Sequence, residues 1–364
     1  DYAAFDTDGD DVLAPDELHI LVVAAGYEAS FTEGARTCGK ETWGHRWFLP
    51  EGTVLDGVTV ADDGYMMIGE HHCDAWVDRQ STIGIVVHEL GHDLGMPDLY
   101  DTDYGSDGIG PWGLMGYGSW GTVSALGDRP TGLSAWSRWF QGWADPTPVG
   151  RDQVVTIASA DSDPDDVYVL GENPGGVDWS FSSPGAGEFF LVENRQPTGW
   201  DAGLPGCGLL VWHVDEARWH NRQDDRRLVD LEEADDASDV GSPTEPSDPF
   251  RVGGSQTTFG PATSPGSGWY GGAASGASVE ATTGCATTMG AELSFPFPTA
   301  SIGDETVAEQ AGTVDVTVQL DEPAVGGEQV RVVRSGGTAT PADVQHVDEV
   351  VTFAPGATAA AVTV

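Results

Sequence analysis

The sequence predicts an α+β protein, and three observations along the chain lead to this prediction. Residues 81–94 carry apolar side chains at the spacing of an amphipathic helix. Between residues 151 and 297, short apolar segments are separated by Gly, Pro and Asp, as in strands joined by turns. After residue 299, valines alternate with polar residues, which is also typical of strands. The predicted parts are residues 1–148, 149–297 and 299–364.

The composition excludes two classes of partner. The chain carries 59 acidic and 15 basic side chains, which give a net charge of −44. Such a surface repels nucleic acid and anionic membrane, and no apolar segment has the length that crosses a bilayer. A halophilic source would explain the charge, because salt screens self-repulsion. Neutralisation by calcium and a lineage bias toward Asp and Arg are the alternatives.

The four cysteines are too far apart for a Cys-x-x-Cys metal site. Their even number fits two disulfides in an exported protein, and their order suggests Cys38–Cys73 and Cys207–Cys285, although three pairings are possible. The chain starts at Asp1, without a signal peptide and inside what looks like a domain. We therefore expect a mature or truncated piece of a longer secreted precursor.

The first motif is an acidic loop at residues 6–17. In a calcium loop, side chains at positions one, three, five and twelve and the backbone carbonyl at position seven bind the ion. The usual glycine at position six is Asp11 here, and residues 18–25 are apolar enough for a buried strand rather than the exit helix of an EF-hand. The alternative is an acidic, solvated turn. The residues predicted to bind calcium are Asp6, Asp8, Asp10, Val12 and Glu17.

The predicted helix carries two histidines on one side. His88 and His92 are four residues apart, so both imidazoles leave the same side of the helix and can hold one zinc ion. Glu89 would lie beside the metal, where it can take a proton from water. The alternative is that both histidines merely lie on a partly buried helix. The apolar face of the helix is predicted from Ile83, Val87, Leu90 and Leu94.

The residues after this helix predict a third ligand. Gly95 accepts the left-handed conformation that ends a helix, and Pro97 prevents its continuation. The turned chain would bring Asp98 back to the metal and leave a fourth position open for water, which is the composition of a catalytic zinc site. Asp101 and Glu193 are rivals for the third position.

The pattern His88-Glu89-x-x-His92-x-x-Gly95-x-x-Asp98 resembles the extended zinc motif of metzincin-type peptidases, with Asp where most have His. Residues 88–101 are similar to the immune-inhibitor-A-like family of secreted bacterial metallopeptidases, and the likeness covers most of residues 1–296. The resemblance implies a zincin-like catalytic domain with a central mixed sheet and the zinc-binding helix behind it. A β-rich region and a partial β-sandwich would follow this domain.

The glycine-rich residues 110–120 predict a tight turn. Metzincins place a methionine beneath the zinc in such a turn, and Met115 fits that role. Tyr117 stands where some metzincins carry a tyrosine that helps to hold the oxyanion, because a phenol can donate to developing negative charge. A purely structural aromatic residue is the alternative. The segment from Trp43 to Trp47 resembles one upstream of the zinc helix in the same family, as a cleft wall or as ordinary core packing.

Two further predictions concern the middle of the chain. Residues 131–143 predict a second helix under the cleft, with Leu133, Trp136, Phe140 and Trp143 on its apolar stripe. Residues 188–196 and 208–216 predict strands. Glu193 and His213 on these strands are interpreted as structural, with a role in the active site as the alternative.

The last part of the chain resembles a Calx-beta module, a small sandwich often appended to secreted proteins. The resemblance rests on the alternating valines at 314–318 and on the segments 337–343 and 351–358. Glu309 and Asp343 match acidic positions that bind calcium in some members, and the final strand is cut off at Val364.

Together these inferences predict a secreted zinc endopeptidase that also binds calcium and acts as a monomer on proteins or peptides. Zinc held by His88, His92 and Asp98 would lower the pKa of its water, and Glu89 would pass the proton to the leaving amine.

The alternative from another class is a catalytically inactive, calcium-dependent adhesion or wall-associated protein on a peptidase fold. The intact Glu89 argues against it, since decay usually removes the general base early. A zinc enzyme that hydrolyses another bond is disfavoured only by the resemblance.

Overall fold

The protein is represented by a computed structural model, which divides into two compact units, Asp1–Phe295 and Pro296–Val364. None of the described helices is both long and apolar enough to span a membrane. The structure describes residues 1–15, 17–31, 39–60, 64–73, 78–171, 176–235, 244–296, 298, 300–303, 314–321, 324, 329–333, 348–354 and 357–363.

The part of the first unit that the structure describes consists mainly of strands, with two α-helices and several short 3-10 helices. Its α-helices are α1 (Ile83–Asp93) and α2 (Ala135–Phe140), and its 3-10 helices are Tyr2–Ala4, Ala29–Phe31, Gly110–Trp112, Tyr117–Trp120 and Gly199–Gly203. Its strands are β1 (Val12–Leu13), β2 (Leu21–Glu28), β3 (Glu41–Thr42), β4 (His45–Phe48), β5 (Val54–Leu55), β6 (Val58–Val60), β7 (Gly64–Cys73), β8 (Asp78–Gln80), β9 (Thr147–Pro148), β10 (Gln153–Ala158), β11 (Tyr168–Gly171), β12 (Glu188–Arg195), β13 (Gly208–Asp215), β14 (Val229–Leu231), β15 (Thr258–Phe259), β16 (Ser278–Ala281) and β17 (Thr288–Ser294).

A mixed sheet supports the helix that carries the histidines. Its strand order is β3-β2-β7-β4, and β8 pairs with the far end of β7. Strands β2, β3 and β7 are parallel, whereas β4 and β8 run antiparallel to β7. Helix α1 packs against β7 and β4, and Nε of Arg46 on β4 donates to Asp93 at the end of α1 at 3.3 Å. The sheet therefore fixes the helix along its length.

The prediction of a buried strand at residues 18–25 is wrong in two respects. The strand is Leu21–Glu28, and its first apolar side chains are exposed, with Val23 at 55%. Glu28, at the other end of the strand, is fully buried. Apolar and β-branched residues favour a strand, but they do not determine which elements cover its two faces.

The predicted apolar face of α1 is also wrong. Ile83 is 47% exposed, and Val87, Leu90 and Leu94 are only half-buried. The helix instead turns its polar side inward, because that side faces the cleft and the glycine-rich turn at residues 110–120. The buried residues of α1 are Gly84, Ile85, His88, Glu89, Gly91 and Asp93.

The second half of the first unit completes one core with the first half. Its sheets have the strand orders β14-β13-β12-β11-β9 and β10-β17-β16-β15. Trp112 and Trp136 pack in one cluster with Leu191 of β12 and Trp212 of β13. Residues 149–295 therefore support the half that carries the histidines, and no boundary between compact units lies at residue 148.

Two predictions for this half can be compared with the structure. The disulfide Cys207–Cys285 is present as predicted, whereas Cys38 and the side chain of Cys73 lie outside the described residues. Helix α2 is shorter than the predicted 131–143. Its buried side includes Trp136, but Trp143 is 54% exposed, because Gly142 takes a φ of +68° and turns the chain away after the helix.

The second unit contains β18 (Ala300–Ile302), β19 (Asp315–Leu320), β20 (Gln329–Val333), β21 (Asp348–Thr352) and β22 (Ala359–Thr363). Strands β18, β19 and β22 form one antiparallel sheet, and β20 pairs with β21. The core contains Val318, Leu320, Val351, Phe353 and Val362. Glu309 and Asp343 lie outside the described residues, so the Calx-beta module stays a prediction.

Candidate metal centre and cleft

The end of α1 turns the chain back toward its own histidines. Gly95 has a φ of +88°, its N–H donates to the His92 carbonyl at 3.0 Å, and the N–H of Met96 donates to the Gly91 carbonyl at 2.9 Å. These two bonds form a Schellman motif, in which glycine takes the left-handed position. The next residues reverse direction and bring Asp98 to the histidine side of the helix.

Three side chains converge at this place. Nε2 of His92 lies 3.0 Å from Oδ1 of Asp98, and Nε2 of His88 lies 3.3 Å from the same oxygen. One ligand atom from each of the three residues lies within 4.8 Å of the others. The two imidazole rings stand nearly perpendicular, at 86°, with centroids 4.8 Å apart.

The backbone fixes which ring nitrogens face the centre. Nδ1 of His88 lies 3.0 Å from the Leu114 carbonyl, and Nδ1 of His92 lies 2.8 Å from the Met96 carbonyl. A carbonyl only accepts, so each Nδ1 carries a proton, and each Nε2 is the nitrogen that faces Asp98 and would offer its lone pair to a metal. Metal-binding histidines are commonly oriented by this kind of outer hydrogen bond.

The donor set fits a divalent cation. Oδ1 of Asp98 is buried and has no hydrogen-bond partner among the described residues. Two imidazole nitrogens and one carboxylate oxygen converge on one point, where a proton or a metal cation must balance the charge of the carboxylate. Two nitrogen ligands and one oxygen ligand suit zinc, and three protein ligands leave a position for water.

The charges at the centre favour the ionised forms of both His92 and Asp98. Burial lowers the pKa of His92, but the adjoining Asp98 carboxylate outweighs burial and raises that pKa to about 9. Burial raises the pKa of Asp98, but the two imidazoles outweigh it and hold that pKa well below its usual range. The pocket therefore favours positive charge, and a proton competes with a metal for it.

Glu89 is the buried carboxylate beside these ligands. It is 4% exposed and lines the same cavity as His88. Burial raises the pKa of Glu89, although the charges of His88 and His92 oppose the shift. A carboxylate with a raised pKa is a better proton acceptor near neutral pH than an ordinary glutamate.

The turn that contains Met115 lies directly against α1. A Cβ added at Gly91 would lie 2.4 Å from Sδ of Met115, so only glycine permits this approach of helix and turn. The N–H of Leu99 donates to the Met115 carbonyl at 2.8 Å, which ties the Asp98 segment to the same turn. The resemblance places Met115 beneath the zinc, and its sulfur lies against Gly91, between the two histidines along the helix.

Two stacked tyrosines form a wall of the site. Tyr117 lies over Tyr100 with ring centroids 5.6 Å apart and planes at 18°, and Tyr100 lies 6.1 Å from the His88 ring. Burial, followed by nearby carboxylates, raises the pKa of both phenols above the usual range of tyrosine. Both phenols are therefore protonated donors at neutral pH. The sequence did not identify Tyr100 as a residue of the site, because the only indication there is its position two residues after Asp98.

A cavity of about 170 Å³ lies beside His88 and Glu89. Trp43 lines this cavity, in keeping with its interpretation as part of a cleft wall. The lining residues are Ser30, Trp43, Gly44, Ile85, His88, Glu89, Tyr100, Tyr104, Gly116, Tyr117, Ser119 and Trp120.

The two alternative third ligands, Asp101 and Glu193, have other hydrogen-bond partners. Asp101 accepts hydrogen bonds from the backbone N–H groups of the loop that follows it, at residues 103, 105 and 106. Glu193 accepts from Nη2 of Arg138 at 2.9 Å and from Nε1 of Trp212 at 2.8 Å. His213 lies between Glu188 and Glu232, with contacts of 3.2 and 3.0 Å. Among the described residues, only Asp98 groups with the two histidines.

The acidic loop gathers three of its predicted ligands. Carboxylate oxygens of Asp6, Asp8 and Asp10 lie within 4.8 Å of one another. The N–H of Asp10 lowers the pKa of Asp8, but the charges of Asp10, Glu17 and Asp6, helped by burial, raise it on balance. The loop thus concentrates negative charge, as a cation site does.

The other two predicted calcium ligands have different contacts. Oε1 of Glu17 accepts from the N–H and hydroxyl of Thr7, and Oε2 accepts from the N–H of Ala14 at 3.0 Å. Glu17 therefore closes the loop on itself and does not belong to the group of three. The N–H of Val12 donates to Asp10 at 2.8 Å. Asp11, at the usual glycine position, has a φ of +63°.

Comparison with known proteins connects the first half of the chain to a peptidase family. Residues 1–144 match the model described as immune inhibitor A peptidase M6, catalytic domain. Over 130 residues the chain is 34% identical to the pre-pro-metalloprotease PrtV of Vibrio cholerae serotype O1, in strains M66-2 and ATCC 39315 / El Tor Inaba N16961. Over 129 residues it is 34% identical to immune inhibitor A of Bacillus thuringiensis subsp. alesti.

These matches cover parts of each chain. Each spans 34% of this chain, against 14% of the PrtV sequences and 18% of immune inhibitor A. The family match includes α1, Asp98 and Met115. It indicates a peptidase M6 domain of the immune inhibitor A type over the first 144 residues.

Proposed function

We propose that this chain is part of a secreted zinc-dependent endopeptidase. The observation that carries the proposal is the convergence of His88, His92 and Asp98 beside the buried Glu89 in one cavity. The similarity of residues 1–144 to a peptidase catalytic domain supports peptide bonds as the substrate.

His88, His92 and Asp98 would hold the zinc ion through Nε2, Nε2 and Oδ1. When bound, zinc supplies a Lewis acid that polarises a scissile carbonyl and makes a water molecule a nucleophile near neutral pH. The outer hydrogen bonds from both Nδ1 atoms to backbone carbonyls would keep the imidazoles in position.

Glu89 acts as the general base and then as the general acid. It takes the proton of the attacking water and passes it to the leaving amine. Its burial and its raised pKa suit both steps, since the proton must be accepted and then released. Tyr117 donates a hydrogen bond to the oxygen on which negative charge develops, because its phenol remains protonated at neutral pH.

Calcium is proposed as a structural ion in the acidic loop, with Asp6, Asp8 and Asp10 as ligands. Val12 would add its carbonyl, and Glu17 would join only by giving up its hydrogen bonds to Thr7 and Ala14. The disulfide Cys207–Cys285 supports export to an oxidising compartment. We further propose that the protein acts as a monomer on proteins or peptides.

The proposal is tested by metal content and hydrolysis measured on the same preparation. We expect about one zinc per chain, casein hydrolysis that stops on zinc chelation, and recovery on addition of zinc. Zinc-loaded protein that leaves casein and a mixed peptide library intact would refute the peptidase function.

A further inference from the structure

Aromatic side chains dominate the walls of the cavity beside Glu89. Of the residues that the structure describes, five aromatic residues line it together with Ile85, two serines, the metal ligand His88 and the proposed base Glu89. Its volume of about 170 Å³ is below the roughly 300–1,000 Å³ of a site that encloses a whole small molecule. The cavity therefore suits one side chain of a longer substrate. The rings belong to Trp43, Tyr100, Tyr104, Tyr117 and Trp120.

Two of these rings are exposed at the cavity. Trp43 is 59% exposed and Tyr104 is 74% exposed, whereas Tyr100 and Tyr117 stack on each other. A large aromatic side chain offers a substrate a wide contact area and loses little conformational entropy on binding. Trp43 and Tyr104 are thus available to a substrate.

The backbone of Tyr104 is held in an unusual conformation. Its φ of +65° is disfavoured for a bulky side chain. Asp101 maintains this conformation, since its carbonyl accepts from the N–H of Tyr104 at 3.2 Å and its buried carboxylate accepts from Asp103, Gly105 and Ser106. Strain that the surrounding structure enforces is found preferentially at functional sites.

Trp43 is fixed relative to the helix that carries Glu89. The N–H of Gly44 donates to the buried carboxylate of Glu28 at 2.7 Å, and the same carboxylate accepts from the N–H of Gly69 on β7. A Cβ at Gly44 would lie 2.9 Å from Cγ1 of Ile85, so the segment between β3 and β4 lies directly against α1. The position of Trp43 is therefore coupled to that of the general base.

The charges on the described lining of the cavity do not favour an ionised side chain of the substrate. Among the residues that the structure describes, no Lys or Arg lines the cavity, and Glu89 is the only carboxylate that does. The nearby Asp98 is directed at the two histidines, and Asp101 is saturated by backbone N–H groups. An acidic side chain would be repelled, and a basic one would compete for Glu89.

From this geometry we infer that the cavity binds one aromatic or large aliphatic side chain next to the bond that is cut. Trp43 and Tyr104 are the residues that determine this preference. The inference rests on the proposed peptidase function and specifies the class of its substrates.

The first test uses peptides that differ only at one residue beside the cleaved bond, namely Phe, Leu, Ala, Asp or Arg. Mass spectrometry locates the cut, and kcat/KM is measured with zinc-saturated protein. We expect Phe and Leu to exceed Ala by at least about tenfold, the usual gain from filling an apolar pocket, and Asp to be the poorest. Equal values for Phe and Ala, or a preference for Arg, would overturn the inference.

The second test uses Trp43→Ala and Tyr104→Gly, with Trp143→Ala as the matched control. Trp143 is 54% exposed and does not line the cavity. Both cavity variants should lose most of the preference for Phe through a higher KM for the Phe peptide, whereas Trp143→Ala should keep the wild-type preference. Tyr104→Gly relieves the left-handed strain, so its melting temperature should not fall. An unchanged Phe preference in both variants would contradict the assignment.

A binding experiment distinguishes failure of this inference from failure of the proposed function. Glu89→Gln retains the cavity, and calorimetry with the Phe and Ala peptides measures side-chain preference without hydrolysis. Tighter binding of the Phe peptide that is lost with Trp43→Ala supports the inference even if no peptide is cleaved. Equal binding of both peptides overturns it even if casein hydrolysis is observed.

Discussion

Replacement of Glu89 by Gln removes the proposed general base with little change of shape. Glu89 is almost fully buried beside the three ligands, so a smaller residue would leave a hole, whereas Gln fills the same space. The neutral amide does not accept a proton from water. We therefore expect the fold, the cavity and zinc binding to remain while hydrolysis is lost.

The size of the effect follows from the two roles of this side chain. General acid–base catalysis contributes typically 10²–10⁴-fold to a rate, and Glu89 both accepts and donates the proton. We expect kcat to fall by about 10³-fold or more, equivalent to about 4 kcal/mol of activation free energy. KM should change little, because the aromatic lining of the cavity is retained.

The raised pKa of Glu89 adds a dependence on pH. Burial disfavours the carboxylate, so the pKa of Glu89 lies above its ordinary 4.5. Only the ionised form accepts a proton, and the wild-type kcat should therefore rise with pH through the pKa of Glu89. The residual activity of Glu89→Gln should lack that acidic limb.

The assay combines hydrolysis of a fluorogenic peptide with elemental analysis of zinc. Glu70→Gln is the control, because Glu70 lies on the neighbouring strand β7 with a half-exposed side chain and outside the cavity. A loss of only a few-fold with zinc retained would remove Glu89 from the role of base. Loss of zinc in the variant would show that Glu89 acts mainly on metal binding.

Four further perturbations test other parts of the account. Asp98→Ala should weaken zinc binding by at least about 100-fold, since loss of an outer partner alone costs 10–100-fold. Glu193→Ala should keep zinc but lower stability by about 3–5 kcal/mol, because buried Arg138 loses its partner. Calcium should raise the melting temperature by binding the native state, and Asp8→Asn should reduce the gain. The pKa of His213 is raised to about 9, so its stabilising contribution is full below pH 6.5 and is lost toward pH 9; His213→Gln should remove this slope.

A different result would contradict each of these predictions. Zinc titration that shows Asp98→Ala at wild-type affinity would exclude this ligand, and zinc loss in Glu193→Ala would imply a different site. An unchanged melting temperature with and without a calcium-selective chelator, in a variant lacking residues 299–364, would count against the acidic loop. Denaturant unfolding with the same pH slope in His213→Gln as in the wild type would remove that histidine as the cause.

The local features of the site could be predicted because they depend on short-range geometry. The spacing of His88 and His92 follows from helical periodicity, and the return of Asp98 follows from the conformational preferences of Gly95 and Pro97. Such constraints act within about ten residues of chain. They hold whatever the rest of the protein does.

Other features depend on tertiary packing, and the sequence pattern did not reveal them. The polar side of α1 is the buried side because Gly91 admits Met115 closely and the cleft faces the histidines. The stacking of Tyr100 on Tyr117 joins two loops. The anchoring of Gly44 by Glu28 joins two segments of the sheet. Periodicity within one segment carries no information about such partners.

The most direct test of the central claim is a crystal structure of the zinc-loaded protein with anomalous diffraction recorded at the zinc absorption edge. The account predicts one strong peak bound by Nε2 of His88, Nε2 of His92 and Oδ1 of Asp98, with the fourth position held by water. A peak bound by Asp101 or Glu193 instead of Asp98, or a fourth protein ligand that closes the site, would contradict it.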